Sequence, residues 1–90
     1  MQSNIELAEE YASLFFTVEE IAVILNINAP ELRREIKANR TDLAKAYYRG
    51  KLKTQIKLRK QTLEFARKGS PQAEAAMTDF LKKQNLSENA

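Results

Sequence analysis

Apolar residues recur along this chain every three or four positions, which is the period of an α-helix, and strand-like alternation is lacking. The clearest apolar stripe consists of Val18, Ile21, Ala22 and Leu25. Thr17, with Glu20 three residues later, has the pattern of a capping box, in which each side chain satisfies a free backbone N–H of the other residue. The pattern therefore predicts a helix that begins at Val18.

A second short helix should follow this one after a tight turn, residues 26–28, with the sequence Asn-Ile-Asn. Asn tolerates the left-handed backbone conformation that ends a helix, and Pro30 suits the first turn of the next helix, where a missing N–H loses no hydrogen bond. Leu32 and Ile36 point the second helix, 30–38, back onto the first. This layout is typical of a helix-turn-helix, whose second helix enters the DNA major groove.

One further helix should precede this pair. Ser3 and Glu6 form another capping box, which predicts a first helix to about residue 14. Beyond its end we expect Leu14, Phe15 and Phe16 to belong to the core, because aromatic residues in such a place usually do.

After the pair, the pattern predicts a long helix from residue 42 to about residue 68, with Gly69 as its stop signal. Gly50 lies near its middle and marks either a close helix crossing or a bend. Ser70 and Pro71 should open a last helix. Its apolar stripe should pack against the long helix through Ala73, Ala76, Met77, Phe80 and Leu81, facing Ile56, Leu63 and Ala66.

The predicted fold is therefore all-α: an N-terminal helix-turn-helix three-helix unit followed by a long-helix antiparallel hairpin. We divide the chain into a helix-turn-helix region (1–38), a linker (39–41), a helical hairpin for oligomerisation and phosphate contact (42–85) and a disordered tail (86–90).

The composition excludes several classes of function. The chain has no cysteine and no histidine, so disulfides, thiolate metal sites and the usual neutral-pH acid and base are all missing. No glycine-rich phosphate loop or serine-based signature is found. We therefore expect neither an enzyme nor a bound metal or cofactor, and no apolar run is long enough to span a membrane.

Charge is distributed unevenly along the chain, whose net charge is +3. Residues 1–36 carry seven acidic side chains against two basic ones, whereas residues 37–68 carry eleven basic side chains against two acidic ones. This basic segment fits DNA phosphates, the acidic helices of a neighbouring copy, or simply solvent. We favour phosphates because the helix-turn-helix lies immediately upstream.

The candidate DNA-contacting residues fall into two groups. The second helix of the pair and its surroundings would contact the groove or nearby phosphates through Asn28, Arg33, Arg34, Lys37 and Arg40. The long helix would bind phosphates, or face the channel of a ring, through Lys45, Arg49, Lys51, Lys53, Lys57, Arg59 and Lys60.

In the order of its helices the chain resembles a phage terminase small subunit, which recognises viral DNA for packaging. The resemblance covers residues 17–85 and rests on the helix-turn-helix, on DLAKAYYRGKLKTQIKLRKQTLEFARKG and on SPQAEAAMTDFLKKQN. The family features "A..RG", "LA..G" and "A..FLLKN" correspond here to residues 46–50, 65–69 and 76–85. The chain departs from the usual helix-turn-helix of phage and bacterial DNA-binding proteins at Asn26, where glycine is usual. It departs from the terminase family after Asn85, where such subunits carry a further segment that contacts the large subunit.

The resemblance implies a protein of phage or prophage origin in the cytoplasm of a bacterial host cell. Its partners would be double-stranded DNA, further copies of itself in a homo-oligomeric ring, and a terminase large subunit that holds the ATPase and nuclease. Two alternatives stay open from the residues themselves. One is a small helix-turn-helix transcriptional regulator, and the other is a helical assembly protein without DNA affinity.

Overall fold

The computed structural model describes residues 2–88, which contain five α-helices and no strand. The prediction of an all-α fold is confirmed. In chain order the helices are α1 (Asn4–Ser13), α2 (Val18–Leu25), α3 (Ala29–Ala38), α4 (Asp42–Arg67) and α5 (Pro71–Glu88).

Side-chain caps fix where the helices begin. In front of α2, the Glu20 carboxylate accepts a hydrogen bond from the Thr17 backbone N–H (2.9 Å), and the Thr17 hydroxyl accepts one from the Glu20 N–H (3.1 Å). Ser3 and Glu6 form the same capping box in front of α1. Both were expected from sequence, and α2 begins at Val18 as predicted.

Each of the first three helices is followed, within two residues, by a residue other than glycine whose backbone lies in the left-handed region. These residues are Phe15 (φ 62°), Asn26 (φ 57°) and Asn39 (φ 52°). At the end of α1, the Phe16 N–H donates to the Tyr11 carbonyl (3.1 Å), and the two rings meet edge to face. The chain leaves the helix here, so the following residues no longer continue its apolar stripe. Leu14 (62% exposed), Phe15 and Phe16 lie on the surface, and the expectation that they belong to the core is wrong.

The chain forms two compact units, an N-terminal unit (Met1–Gln55) and a C-terminal unit (Ile56–Ala90). The sequence placed the boundary in the linker 39–41, whereas the structure divides the chain within α4. The reason is that the first half of α4 belongs to the core of the N-terminal unit. That core is built by four helices and contains Ala8, Ala12, Ile21, Ala22, Leu25, Leu32, Ile36 and Tyr47.

Gly50 is the point at which α4 crosses α1. It is buried, and a Cβ atom built there would overlap the Glu9 carbonyl oxygen and lie 2.9 Å from the Glu9 carbonyl carbon and 3.1 Å from its Cα. The two backbones are therefore in direct contact. One helical turn further on, the Thr54 hydroxyl donates to the Ser13 carbonyl, so the two helices run in the same direction. Of the two interpretations left open by the sequence, the close crossing is correct.

In the C-terminal unit, the second half of α4 and α5 form the antiparallel hairpin that the sequence predicted. Gly69 (φ 92°) makes the turn, and the Ser70 hydroxyl caps α5 by accepting from the Ala73 N–H (3.3 Å). The Arg59 guanidinium lies 4.2 Å from the centre of the Phe80 ring across the hairpin. Ala73 is buried, but much of the expected apolar seam is not, since Ile56, Leu63 and Leu81 are exposed.

Helix α5 is longer than the sequence suggested. It continues through Glu88, so residues 86–88 of the tail predicted as disordered (86–90) are helical, and residues 89–90 lie outside the described part of the chain. No glycine or proline interrupts this segment, and the Gln84 side-chain amide donates to the Glu88 carboxylate one turn later (3.5 Å).

The contact at Gly50 predicts that Gly50→Ala destabilises the protein. Alanine normally stabilises a helix relative to glycine by about 1 kcal/mol, but here its methyl group must push α1 away. We expect the free energy of unfolding to fall by about 1–3 kcal/mol in urea titrations. Gln61→Ala, at an exposed position of the same helix, should stay within about 0.5 kcal/mol of the parent protein. A Gly50→Ala variant at least as stable as the parent would contradict the close crossing.

Candidate nucleic-acid interface

Helices α2 and α3 are packed together and joined by a turn of three residues, 26–28. Asn26 adopts the left-handed conformation (φ 57°, ψ 46°) that the turn requires, and the Ile27 N–H then donates to the Ala22 carbonyl (2.9 Å). Ala22 is fully buried between the helices, together with Leu25 and Leu32. The turn therefore fixes the direction in which α3 leaves α2, and with it the direction of the side chains on the outer face of α3.

The outer face of α3 carries most of the groove candidates. Arg33, Arg34 and Lys37 are all exposed, because the buried residues Leu32 and Ile36 turn the opposite face inward. Asn28 also has a structural role: its side-chain oxygen caps α3 by accepting a hydrogen bond from the Glu31 N–H (3.1 Å). Only its amide N–H groups are left for an external acceptor.

Arg33 is held by a carboxylate within the protein. Its guanidinium donates to the Glu19 side chain in the first turn of α2. This hydrogen bond, followed by one from the Glu19 backbone, lowers the pKa of Glu19 below its ordinary value of 4.5. Arg34 and Lys37, three residues apart on the same helix, form no ion pair with any carboxylate of residues 2–88.

The two acidic residues of α3, Glu31 and Glu35, have different surroundings. Glu35 is half-buried and accepts a hydrogen bond from the Thr41 hydroxyl (2.6 Å). Thr41 in turn caps α4 by accepting from the Ala44 N–H (3.2 Å). Glu35 is thus turned towards the start of α4, and Glu31 is the exposed acidic residue of α3.

In the N-terminal unit, α4 presents three basic residues at intervals of four positions: Lys45, Arg49 and Lys53. All three are exposed, yet two of them bind one carboxylate of α1. The Arg49 Nε donates to Glu9 (2.6 Å), and the Lys53 ammonium donates to the other Glu9 oxygen. The hydrogen bonds from Lys53 and then Arg49 lower the pKa of Glu9. Glu9 therefore neutralises part of the basic charge of α4.

The remaining candidates are distributed over both units. Lys51 is half-buried with its ammonium 5.4 Å from the centre of the Tyr47 ring, and Arg40 is exposed between α3 and α4. In the C-terminal unit Lys57 and Lys60 are exposed, whereas Arg59 stacks on Phe80.

The residues that sequence reasoning missed are Glu9 and Glu19. Glu9 binds Arg49 and Lys53, and Glu19 binds Arg33, so both carboxylates pair within their own chain. Glu19 lies 14 residues from Arg33, and Glu9 lies 40 residues from Arg49, so no local spacing rule connects them. The one available signal was the capping box at Thr17, which places Glu19 in the first turn of α2.

The double ion pair of Glu9 predicts a pH-dependent stability. Because its pKa is lower in the folded than in the unfolded protein, the stabilising contribution is complete above pH 4.5 and is lost as the pH falls through the folded-state pKa. At pH 7 in low salt, Glu9→Gln should have a lower melting temperature than Glu10→Gln, a matched change at an exposed α1 position. In acid below the folded-state pKa of Glu9, the two variants should melt together. Equal melting temperatures at pH 7 would contradict the stabilising role.

Neither a group of metal ligands nor a membrane-spanning helix is found within residues 2–88. No three acidic side chains there are grouped as metal ligands, and none of the helices is both long and apolar enough to cross a bilayer. The chain matches no protein family, no curated protein and no solved structure.

Proposed function

We propose that this chain is a double-stranded DNA-binding protein of phage or prophage origin, similar to a terminase small subunit. In this proposal α3 lies in the major groove and the basic residues of α4 bind phosphates. The observation that carries it is the outer face of α3, where Arg34 and Lys37 are exposed and unpaired among the described residues on a helix held by a tight turn.

The dimensions of α3 support a groove-binding role. Ten residues give a helix about 15 Å long, and a major groove about 12 Å wide admits an α-helix. Arg34 can donate two hydrogen bonds to the O6 and N7 atoms of guanine, and Lys37 can reach a base edge or a phosphate. The N-terminus of α3 adds its partial positive charge.

The basic residues of α4 would supply affinity that does not depend on sequence. Lys45, Lys57 and Lys60 are exposed and form no ion pair among residues 2–88. Each phosphate neutralised in B-DNA contributes about −0.9 to the slope of log K against log salt. Five or six contacts, counting those of α3, would give a slope of about −5.

Self-association of the C-terminal unit is the second part of the proposal. Two helices alone cannot cover their apolar faces, and units of fewer than about 40 residues are rarely stable without additional support. Exposed apolar side chains remain on both helices of the hairpin: Ile56, Leu58, Leu63, Phe65, Leu81 and Leu86. A second copy of the hairpin would bury them, as the expected homo-oligomeric ring requires. A terminase large subunit as a further partner rests on the sequence resemblance alone.

The DNA-binding proposal is tested by Arg34→Ala combined with Lys37→Ala. The loss of one bidentate contact and one phosphate contact should weaken binding to duplex DNA at least about tenfold, since each good bidentate pair contributes about 1–3 kcal/mol. The salt slope should fall by about 1. Both are measured by fluorescence anisotropy with a labelled duplex at several salt concentrations.

The matched control for this pair is Lys82→Ala with Lys83→Ala, which removes the same charge from exposed positions of α5. It should change the affinity much less. Equal losses from the two pairs would contradict a specific role for α3. Lack of binding by the parent protein at low salt, where phosphate attraction is strongest, would refute DNA binding altogether.

Self-association is tested by Leu81→Lys, which places a charge on the apolar face of α5, where Leu81 is 56% exposed. Sedimentation velocity should show an oligomer for the parent protein and a smaller species for the variant, because burying an unpaired charge is costly. Val23→Lys is the control, since Val23 is also exposed but lies in the N-terminal unit. A parent protein that stays monomeric across concentrations would contradict this part of the proposal.

A further inference from the structure

The ion pair between Glu19 and Arg33 joins the two helices of the proposed DNA-binding pair. Arg33 lies on the outer face of α3, among the residues expected to meet DNA, and Glu19 reaches it from the first turn of α2. The Arg33 side chain is 53% exposed and the Glu19 side chain is 55% exposed. The pair is therefore open to exchange with an external anion.

We propose that Glu19 is an internal competitor for DNA: it occupies the Arg33 guanidinium in the free protein and gives it up to a phosphate or guanine of the duplex. This inference rests on the proposed function and adds a residue that tunes it. Glu19 would not contact a base itself. It would set the affinity by determining whether Arg33 is available.

A carboxylate and a nucleotide compete for the same donor groups of Arg33. A carboxylate, a phosphate and the O6/N7 edge of guanine each present two neighbouring acceptor atoms. Each can therefore accept hydrogen bonds from the same guanidinium N–H groups. Arg33 cannot satisfy Glu19 and a nucleotide with the same N–H groups, so binding requires exchange. An exposed ion pair is weak, which means that exchange is possible but costs some affinity.

Geometry distinguishes Glu19 from the other acidic side chains of the N-terminal unit that bind a partner within the chain. Glu20 uses its carboxylate to cap α2, and Glu35 is bound to Thr41. Glu9 also holds basic side chains, but these belong to α4 and not to α3. Glu19 is the carboxylate whose removal would free a groove-facing arginine without touching the core.

The test is Glu19→Gln, which keeps the side-chain shape and removes the charge. The probe is a labelled 24-base-pair duplex of mixed sequence, about the length of two helical turns, measured by fluorescence anisotropy. We expect the affinity at low salt to rise between about twofold and fivefold, the range of an exposed ion pair. The salt slope should steepen by about 0.9, because Arg33 gains a phosphate contact.

Two controls separate this mechanism from a general effect of charge. Glu10→Gln removes one negative charge from an exposed α1 position and should raise the affinity less. In an Arg33→Ala background, Glu19→Gln should raise the affinity no more than Glu10→Gln does, because the side chain it would release is gone. A larger gain that persists in that background would overturn the inference and leave only long-range repulsion by Glu19.

The remaining outcomes distinguish a failure of the inference from a failure of the proposed function. If the parent protein binds the duplex and Glu19→Gln binds equally well, the inference fails while the proposed function stands. If neither binds at low salt, the proposed function and the inference fail together. Circular dichroism melts should show that both Glu19 variants remain folded.

Discussion

The direct backbone contact between Gly50 and Glu9 is the constraint on which the N-terminal unit depends. Only a residue without a side chain allows α4 to approach α1 this closely, and the fully buried Ala8 and Ala12 on α1 extend the same close packing. The contact joins the start of the basic α4 to the core that carries α2 and α3. It also brings Arg49 and Lys53 to Glu9, because all three flank the crossing point.

Part of the basic charge of the chain is therefore neutralised by its own carboxylates. Glu9 and Glu19, from the acidic N-terminal helices, hold three of the basic side chains that the sequence assigned to DNA. The basic residues that form no ion pair with a carboxylate of residues 2–88 remain available to an external polyanion. This division leaves a smaller set of basic side chains without such an ion pair among residues 2–88, on the outer face of α3 and along α4.

The parts of the fold that the sequence predicted are those governed by local chemistry. The capping boxes at Ser3 and Thr17, the turn at Asn26 and the stop at Gly69 each depend on residues within five positions of one another. Features that depend on distant residues were not predictable. Spacing could not reveal the ion pair of Glu19 with Arg33, nor could it choose between a crossing and a bend at Gly50. The unit boundary within α4 follows from that crossing and was missed for the same reason.

The most direct test of the proposed interface is a titration of the isotope-labelled protein with duplex DNA, followed by NMR of backbone amides and arginine side chains. Perturbations should concentrate on α3 and on the exposed basic residues of α4, and the Arg33 Nε–H resonance should move as Glu19 is displaced. Spectra that do not change at low salt, or that change only in α5, would show that neither α3 nor the basic residues of α4 bind DNA.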